Sequence, residues 1–196
     1  AMNLKKAGFP VIKRLEEFDY RHQSTITKRQ VNVLLDFRFI DERTNLVFIG
    51  PPGVGKTHLA VGIAHKAIAA GYKVLFTTAL ALVEVLELAE RKGELKRKIT
   101  SLQKYDALLI DELGYQSYAP DAANVLYRVV NDRYLKGRPM IVTTNKPLAA
   151  LGQLLHDGDL AEAILDRLLE RGTHFVLRGR SYRTRHLKPE GEDKTE

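Results

Sequence analysis

The sequence predicts an α/β fold of three αβα layers, with a parallel five-stranded sheet between two sets of helices. Three observations carry the prediction. Short, largely apolar runs recur at residues 46–49, 73–78, 107–110, 140–144 and 173–177, and apolar runs without polar alternation are strands buried on both faces. Segments of helical periodicity separate them, and alternating strands and helices build a parallel sheet. The first run opens directly into Gly50-Pro51-Pro52-Gly53-Val54-Gly55-Lys56-Thr57, a glycine-rich turn from strand to helix.

Residues 1–45 are polar and mixed, with short helical patterns. They read as an arm that packs on the following domain through Leu15, Phe18, Val31, Val33, Leu34, Leu35 and Phe37. The first strand is 46–49. After the glycine turn, 58–70 is helical, with Leu59, Ile63, Ala67 and Ala70 apolar and Gly71 as its cap. The second strand is 73–78. A helix over 80–91 is broken at Gly93, and another follows over about 94–103. The third strand, 107–110, ends in Asp111-Glu112. Residues 121–134 form a helix with Ala122, Val125, Leu126, Val129 and Val130 on one face. The fourth strand, 140–144, ends at Asn145. A helix over 160–171 stops at Gly172, and 173–177 is the last strand. Residues 46–188 thus form one domain, and the polar, mostly acidic residues 189–196 read as a disordered tail.

The chain has 196 residues, 44% hydrophobic and 28% charged, enough to build a core within one large domain. No stretch approaches the roughly 18 uninterrupted apolar residues of a membrane span. The start lacks the apolar run of a secretory signal, and Ala1-Met2 reads as a cloning scar. Cysteine is absent, which excludes disulfides and thiolate metal sites and fits a cytoplasmic protein. The formal charge of +7 favours polyanionic partners. It is concentrated in two places. Arg91, Lys92, Lys96, Arg97 and Lys98 stand against Glu94 alone, and Arg178, Arg180, Arg183, Arg185 and Lys188 gather near the end.

The glycine-rich turn has the spacing G-x-x-x-x-G-K-[ST]. Its glycines let the backbone curl so that successive N–H groups face phosphate oxygens. Lys56 supplies a cation to the β- and γ-phosphates, and the Thr57 hydroxyl can ligate magnesium. The helix that follows turns its positive end to the same anion. Gly50, Pro52, Gly53, Val54, Gly55, Lys56, Thr57 and His58 are therefore the candidate nucleotide-binding residues, with ATP or ADP and Mg2+ as ligands. Asp111 is placed to hold the magnesium shell with Thr57, and Glu112 to orient and deprotonate the attacking water. Adjacent strand residues point to opposite sides, so one pair divides the two roles. Asn145 offers an amide to the γ-phosphate and the lytic water. Arg167, and second to it Arg171, can meet the charge that develops in phosphoryl transfer, an arginine that often comes from a neighbouring subunit. An active unit built that way is an oligomer.

This ordered set resembles the AAA+ ATPases, P-loop NTPases by class, and within them the branch of IstB transposition helpers and DnaC-type helicase loaders. The glycine-rich motif carries the resemblance together with residues 108–112, Gly114-Tyr115, Asn131-Asp132-Arg133-Tyr134, residues 142–145, and the ending from His174 through Gly179-Arg180-Ser181-Tyr182-Arg183. It covers about residues 10–188. It implies a magnesium-dependent ATPase whose Asn145 is a polar sensor, on a strand between the phosphate-loop strand and the acidic strand. It also implies a truncated C-terminal lid. Only 19 residues follow Leu177, too few for the helical lid of most AAA+ proteins or for the further DNA-binding domain of DnaA-type initiators. Arg180 and Arg183 remain to replace the lid arginine. IstB-like proteins carry a longer N-terminal helical region, so this chain reads as an isolated ATPase portion.

The resemblance further implies self-association into a ring or helical oligomer, a transposase as partner, and no membrane. Duplex DNA would be held without sequence preference, through phosphate contacts from Arg91, Lys92, Lys96, Arg97 and Lys98. No helix-turn-helix or zinc signature for base readout is present. A helicase loader gripping single-stranded DNA shares the same ATPase site and is the alternative. A nucleotide kinase would need an acceptor pocket and a closing lid, and the sequence supplies neither.

Overall fold

The computed structural model describes residues 7–115 and 118–186. Lys188 and the tail expected over 189–196 lie outside the described residues. The strands are β1 (Asn45–Ile49), β2 (Val74–Thr78), β3 (Ala107–Leu113), β4 (Met140–Thr144) and β5 (Gly172–Val176). They form one parallel sheet in the order β2-β3-β4-β1-β5. The predicted α/β class and strand number hold, and β4 does lie between the phosphate-loop strand and the acidic strand.

The helices are α1 (Lys28–Val33), α2 (Arg38–Asp41), α3 (Lys56–Ala69), α4 (Ala79–Arg91), α5 (Leu95–Leu102), α6 (Ala122–Leu135), α7 (Leu151–Leu155) and α8 (Gly158–Glu170). Strand alternation sorts the core into two halves. Leu108, Ile110, Met140 and Val142 face α4 to α8. Leu46, Phe48, Ala107, Leu109 and Ile141 face α3 and the arm. Side-chain caps mark helix starts. Thr78 accepts the Ala81 N–H at α4, and Asp157 accepts the Leu160 N–H at α8. The short α1 and α2 fall in the arm, where short helical patterns were expected, whereas α7 was not foreseen, because an element this brief shows too few periodic positions to be read.

Two local departures from the sequence reading matter for the site. Helix α3 begins at Lys56, not at residue 58, because Gly55 at φ 98° turns the chain straight into it. Lys56 and Thr57 are therefore first-turn residues. Strand β3 does not stop at Ile110. It runs to Leu113, with a bulge between Ile110 and Leu113 where Glu112 takes φ 62°.

Two buried polar side chains tie the opposite end of the sheet. Arg133, with no exposed surface, donates to the carbonyls of Leu102 (2.9 Å), Pro139 (2.9 Å) and Tyr105 (3.3 Å). It joins the end of α5 to the approaches of β3 and β4. Asn45 donates from Nδ2 to the carbonyls of Arg167 (3.2 Å) and Leu168 (3.1 Å), and its Oδ1 accepts the Met140 N–H at 2.8 Å.

Candidate nucleotide-binding site

The glycine-rich loop leaves β1 at the C-terminal end of the sheet, where α/β proteins place their ligands. The Gly50 N–H donates to the Thr144 carbonyl at 3.1 Å. Gly53 and Gly55 have φ of 81° and 98°, and a Cβ at either would collide, with Ser181 and with the Phe18 ring respectively. Val54 is buried beneath the loop, while Pro52 stays exposed.

Lys56 is buried, and its Nζ donates to the Pro51 carbonyl at 2.7 Å. Burial pushes its pKa below the ordinary lysine value, against the opposing pull of Asp111. The Thr57 hydroxyl donates to Asp111 Oδ1 at 2.9 Å, and Thr143 Oγ1 donates to the same oxygen at 2.5 Å. The Glu112 side chain is exposed, and its N–H donates to Thr143 Oγ1 at 3.0 Å. Asn145 closes β4, and its Oδ1 is buried with no hydrogen-bond partner. A buried amide oxygen left open is a place for a ligand or water hydrogen. The structure thus gathers Lys56, Thr57, Asp111, Glu112 and Asn145 at neighbouring strand ends.

These residues suit a magnesium nucleotide. Mg2+ takes one or two oxygen side chains and completes its shell from water and phosphates. Thr57 and Asp111 are such a pair. Among the described residues, no group of three or more His, Cys, Asp or Glu is disposed to hold a metal by itself. The buried ammonium of Lys56 has a neutral carbonyl where a phosphate would serve it better.

A cavity of about 330 Å³ adjoins the loop, and its other walls come from the arm and from the residues after β5. Phe18 meets the His58 ring edge-on at 5.3 Å, and His22 meets Tyr182 at 5.2 Å. His58 Nε2 donates to the Arg14 carbonyl at 2.7 Å. The buried Gln23 donates from Nε2 to the carbonyls of Val54 (3.0 Å) and Arg178 (3.1 Å). The Tyr182 N–H donates to the Gly53 carbonyl at 3.0 Å. Residues 177–186 form turns and no helix, and they lie back over the loop. Of the two arginines considered for the lid's role, Arg183 lines the cavity and its charge acts on Lys56. Arg180 contributes its backbone carbonyl to His22. The sequence reading gave Phe18 only as a packing contact of the arm, and it missed Asp19, His22 and Gln23, which lie in a polar stretch with no motif. It also missed Thr143, hidden in an apolar strand.

Arg167 and Arg171 are not brought to this loop. The pairing of Gly172 with Asn45 puts them at the opposite end of β1, about 17 Å along five strand residues. The surroundings of the two arginines differ. Arg167 is half-buried and engaged by Asn131 (2.7 Å), the Ala163 carbonyl (2.9 Å) and the Tyr127 hydroxyl (3.2 Å). Arg171 is exposed, with its guanidinium over the Tyr134 ring at 5.2 Å. In the basic run, Arg91, Lys92, Lys96 and Arg97 are exposed and Lys98 is half-buried, with Arg97 paired to Glu94 at 2.8 Å.

The parallel sheet with a phosphate loop at the head of β1 and acids at the head of β3 defines a P-loop protein of the AAA+ fold. The fold matches AMPPCP-bound DnaA from Aquifex aeolicus with a TM-score of 0.67 at 21% identity, over 86% of this chain and 50% of that one. The profile of the family described as IstB-like ATP binding protein matches residues 1–189, and the chain belongs to that family. It is 41% identical, over 96% of its length and 75% of the relative's, to a Geobacillus stearothermophilus protein named for ATP binding and for insertion sequence IS5376. A Pseudomonas aeruginosa protein named likewise for insertion sequence IS21 is 38% identical, over 96% of this chain and 71% of that one.

Proposed function

We propose that this chain binds ATP with Mg2+ and hydrolyses it to ADP and phosphate, as the ATPase of an insertion sequence. In that role it assembles on duplex DNA in the cytoplasm and regulates a partner transposase. The observation that carries the enzymatic part is the meeting of Thr57 and Asp111 beside the buried Lys56. The insertion-sequence part is supported by the names of the relatives.

Thr57 and Asp111 would hold magnesium, which when bound withdraws charge from the phosphate oxygens. Lys56 holds the terminal phosphates. The open Oδ1 of Asn145 accepts a hydrogen from the attacking water, and Glu112 takes its proton. Water attacks the terminal phosphorus, the bond to the bridging oxygen breaks, and ADP leaves. The base occupies the cavity bounded by Phe18, His22 and Tyr182, and Arg183 stands in for a lid arginine. Arg171 of a neighbouring copy meets the developing charge, since about 17 Å of strand keeps it from the loop of its own copy. The exposed Arg91, Lys92, Lys96 and Arg97 bind DNA phosphates, with Lys98 at their margin.

DNA-stimulated ATP hydrolysis tests the proposal. Glu112→Gln binds ATP and does not turn it over, whereas normal turnover in this variant refutes the assigned base. Binding to duplex and to single-stranded DNA is compared with ATP present. A strong preference for single strands puts the helicase-loader function in place of the transposition helper.

A further inference from the structure

Both acids of the site are held by one residue of the adjacent strand. Thr143 is 1% exposed. Its hydroxyl donates to Asp111 Oδ1 at 2.5 Å and accepts the Glu112 N–H at 3.0 Å. A hydroxyl has one hydrogen and two lone pairs, so the two bonds form together. Glu112 depends on the second. At φ 62° it leaves the ladder between β3 and β4, which passes from Ile110 paired with Val142 to Leu113 paired with Thr144. The Thr143 hydroxyl stands where a regular strand would have offered a carbonyl.

We propose that Thr143 is a positioning residue for ATP hydrolysis. Its hydroxyl orients the metal-binding carboxylate of Asp111 and stabilises the left-handed backbone of Glu112, a conformation unfavourable for a residue with a side chain. The proposal rests on the ATPase function proposed above. Valine keeps threonine's shape and lacks the hydroxyl. Thr143→Val therefore releases Asp111 on one side and leaves the Glu112 amide without its acceptor, while Lys56 and the phosphate loop are untouched.

In Thr143→Val, affinity for a fluorescent ATP analogue stays near wild type, while kcat falls about 10–100-fold, the usual cost of losing a group that orients a ligand. The Mg2+ concentration for half-maximal turnover rises. Hydrogen exchange at the Glu112 amide of the nucleotide-free protein quickens by about tenfold or more. Thr143→Ser keeps the hydroxyl and restores all three readouts. Should Thr143→Val fail to fold by thermal melt, Thr143→Ala carries the same predictions. Wild-type turnover and exchange in Thr143→Val or Thr143→Ala overturns the proposal, as does a loss in Thr143→Ser equal to that in Thr143→Val. Glu112→Gln is assayed alongside. If wild type does not hydrolyse ATP, the ATPase function itself falls, and if Glu112→Gln hydrolyses ATP normally, Glu112 is not the base. If Glu112→Gln is inactive while Thr143→Val is not, only the role of Thr143 falls.

Discussion

Lys56 carries a charge into surroundings that disfavour it, and burial holds its pKa below the ordinary lysine value. A phosphate alongside favours the ammonium. Nucleotide affinity is therefore greatest below the Lys56 pKa of the free protein and weakens as pH rises through it. Titration of a fluorescent ATP analogue at increasing alkaline pH should show the loss earlier than an ordinary lysine would give, and Lys56→Ala should bind weakly throughout. Lys56, Thr57 and Asp111 were legible in the sequence because their chemistry requires fixed spacing or a fixed place at a strand end. Thr143 was not. In an apolar strand a threonine is explained by β-propensity alone, and its bonds to Asp111 and to the Glu112 amide exist only once β3 and β4 pair.

Strands and long helices could be read because burial on two faces or one leaves a periodic trace. The arm left none. Gln23 bonds to a carbonyl 155 positions away, and the cavity wall it supports joins segments from both ends of the described chain. Arg133 is a similar case, a charged residue inside a helix whose role is to satisfy three carbonyls in two separate segments, Leu102 and Tyr105 in one and Pro139 in the other. Its charge is itself disfavoured there, burial having drawn the pKa down to about 9, so the net contribution is smaller than three bonds suggest. Arg133→Ala still strands those carbonyls and should cost about 3 kcal/mol. That lowers the melting temperature by about 6–12 °C for a chain of this size. A melt within about 2 °C of wild type would exclude this role.

The three-layer architecture followed from the alternation of strands and helices, and an arginine from a neighbouring copy was expected from the chemistry, but where the candidate arginines stand relative to the loop was not legible. It depends on which end of β1 each residue occupies. Arg171→Ala should lower turnover about a thousandfold, with ATP affinity retained. Lys56→Ala fails for the opposite reason, keeping the arginine and losing the nucleotide. Mixed together, the two inactive variants should regain turnover, since each Arg171→Ala loop can then meet an arginine from a Lys56→Ala copy. A mixture as inactive as its components would rule out the shared site. One further consequence comes from Asn45, which pins the carbonyls of Arg167 and Leu168 to the start of the strand that ends in the phosphate loop. Each copy is thereby a spacer of set length. Its span is the contour of a hydrogen-bonded strand and involves no hinge. In the DNA-bound assembly proposed above, the pitch would then be adjusted at the joints between copies, while the interval within each copy stays constant.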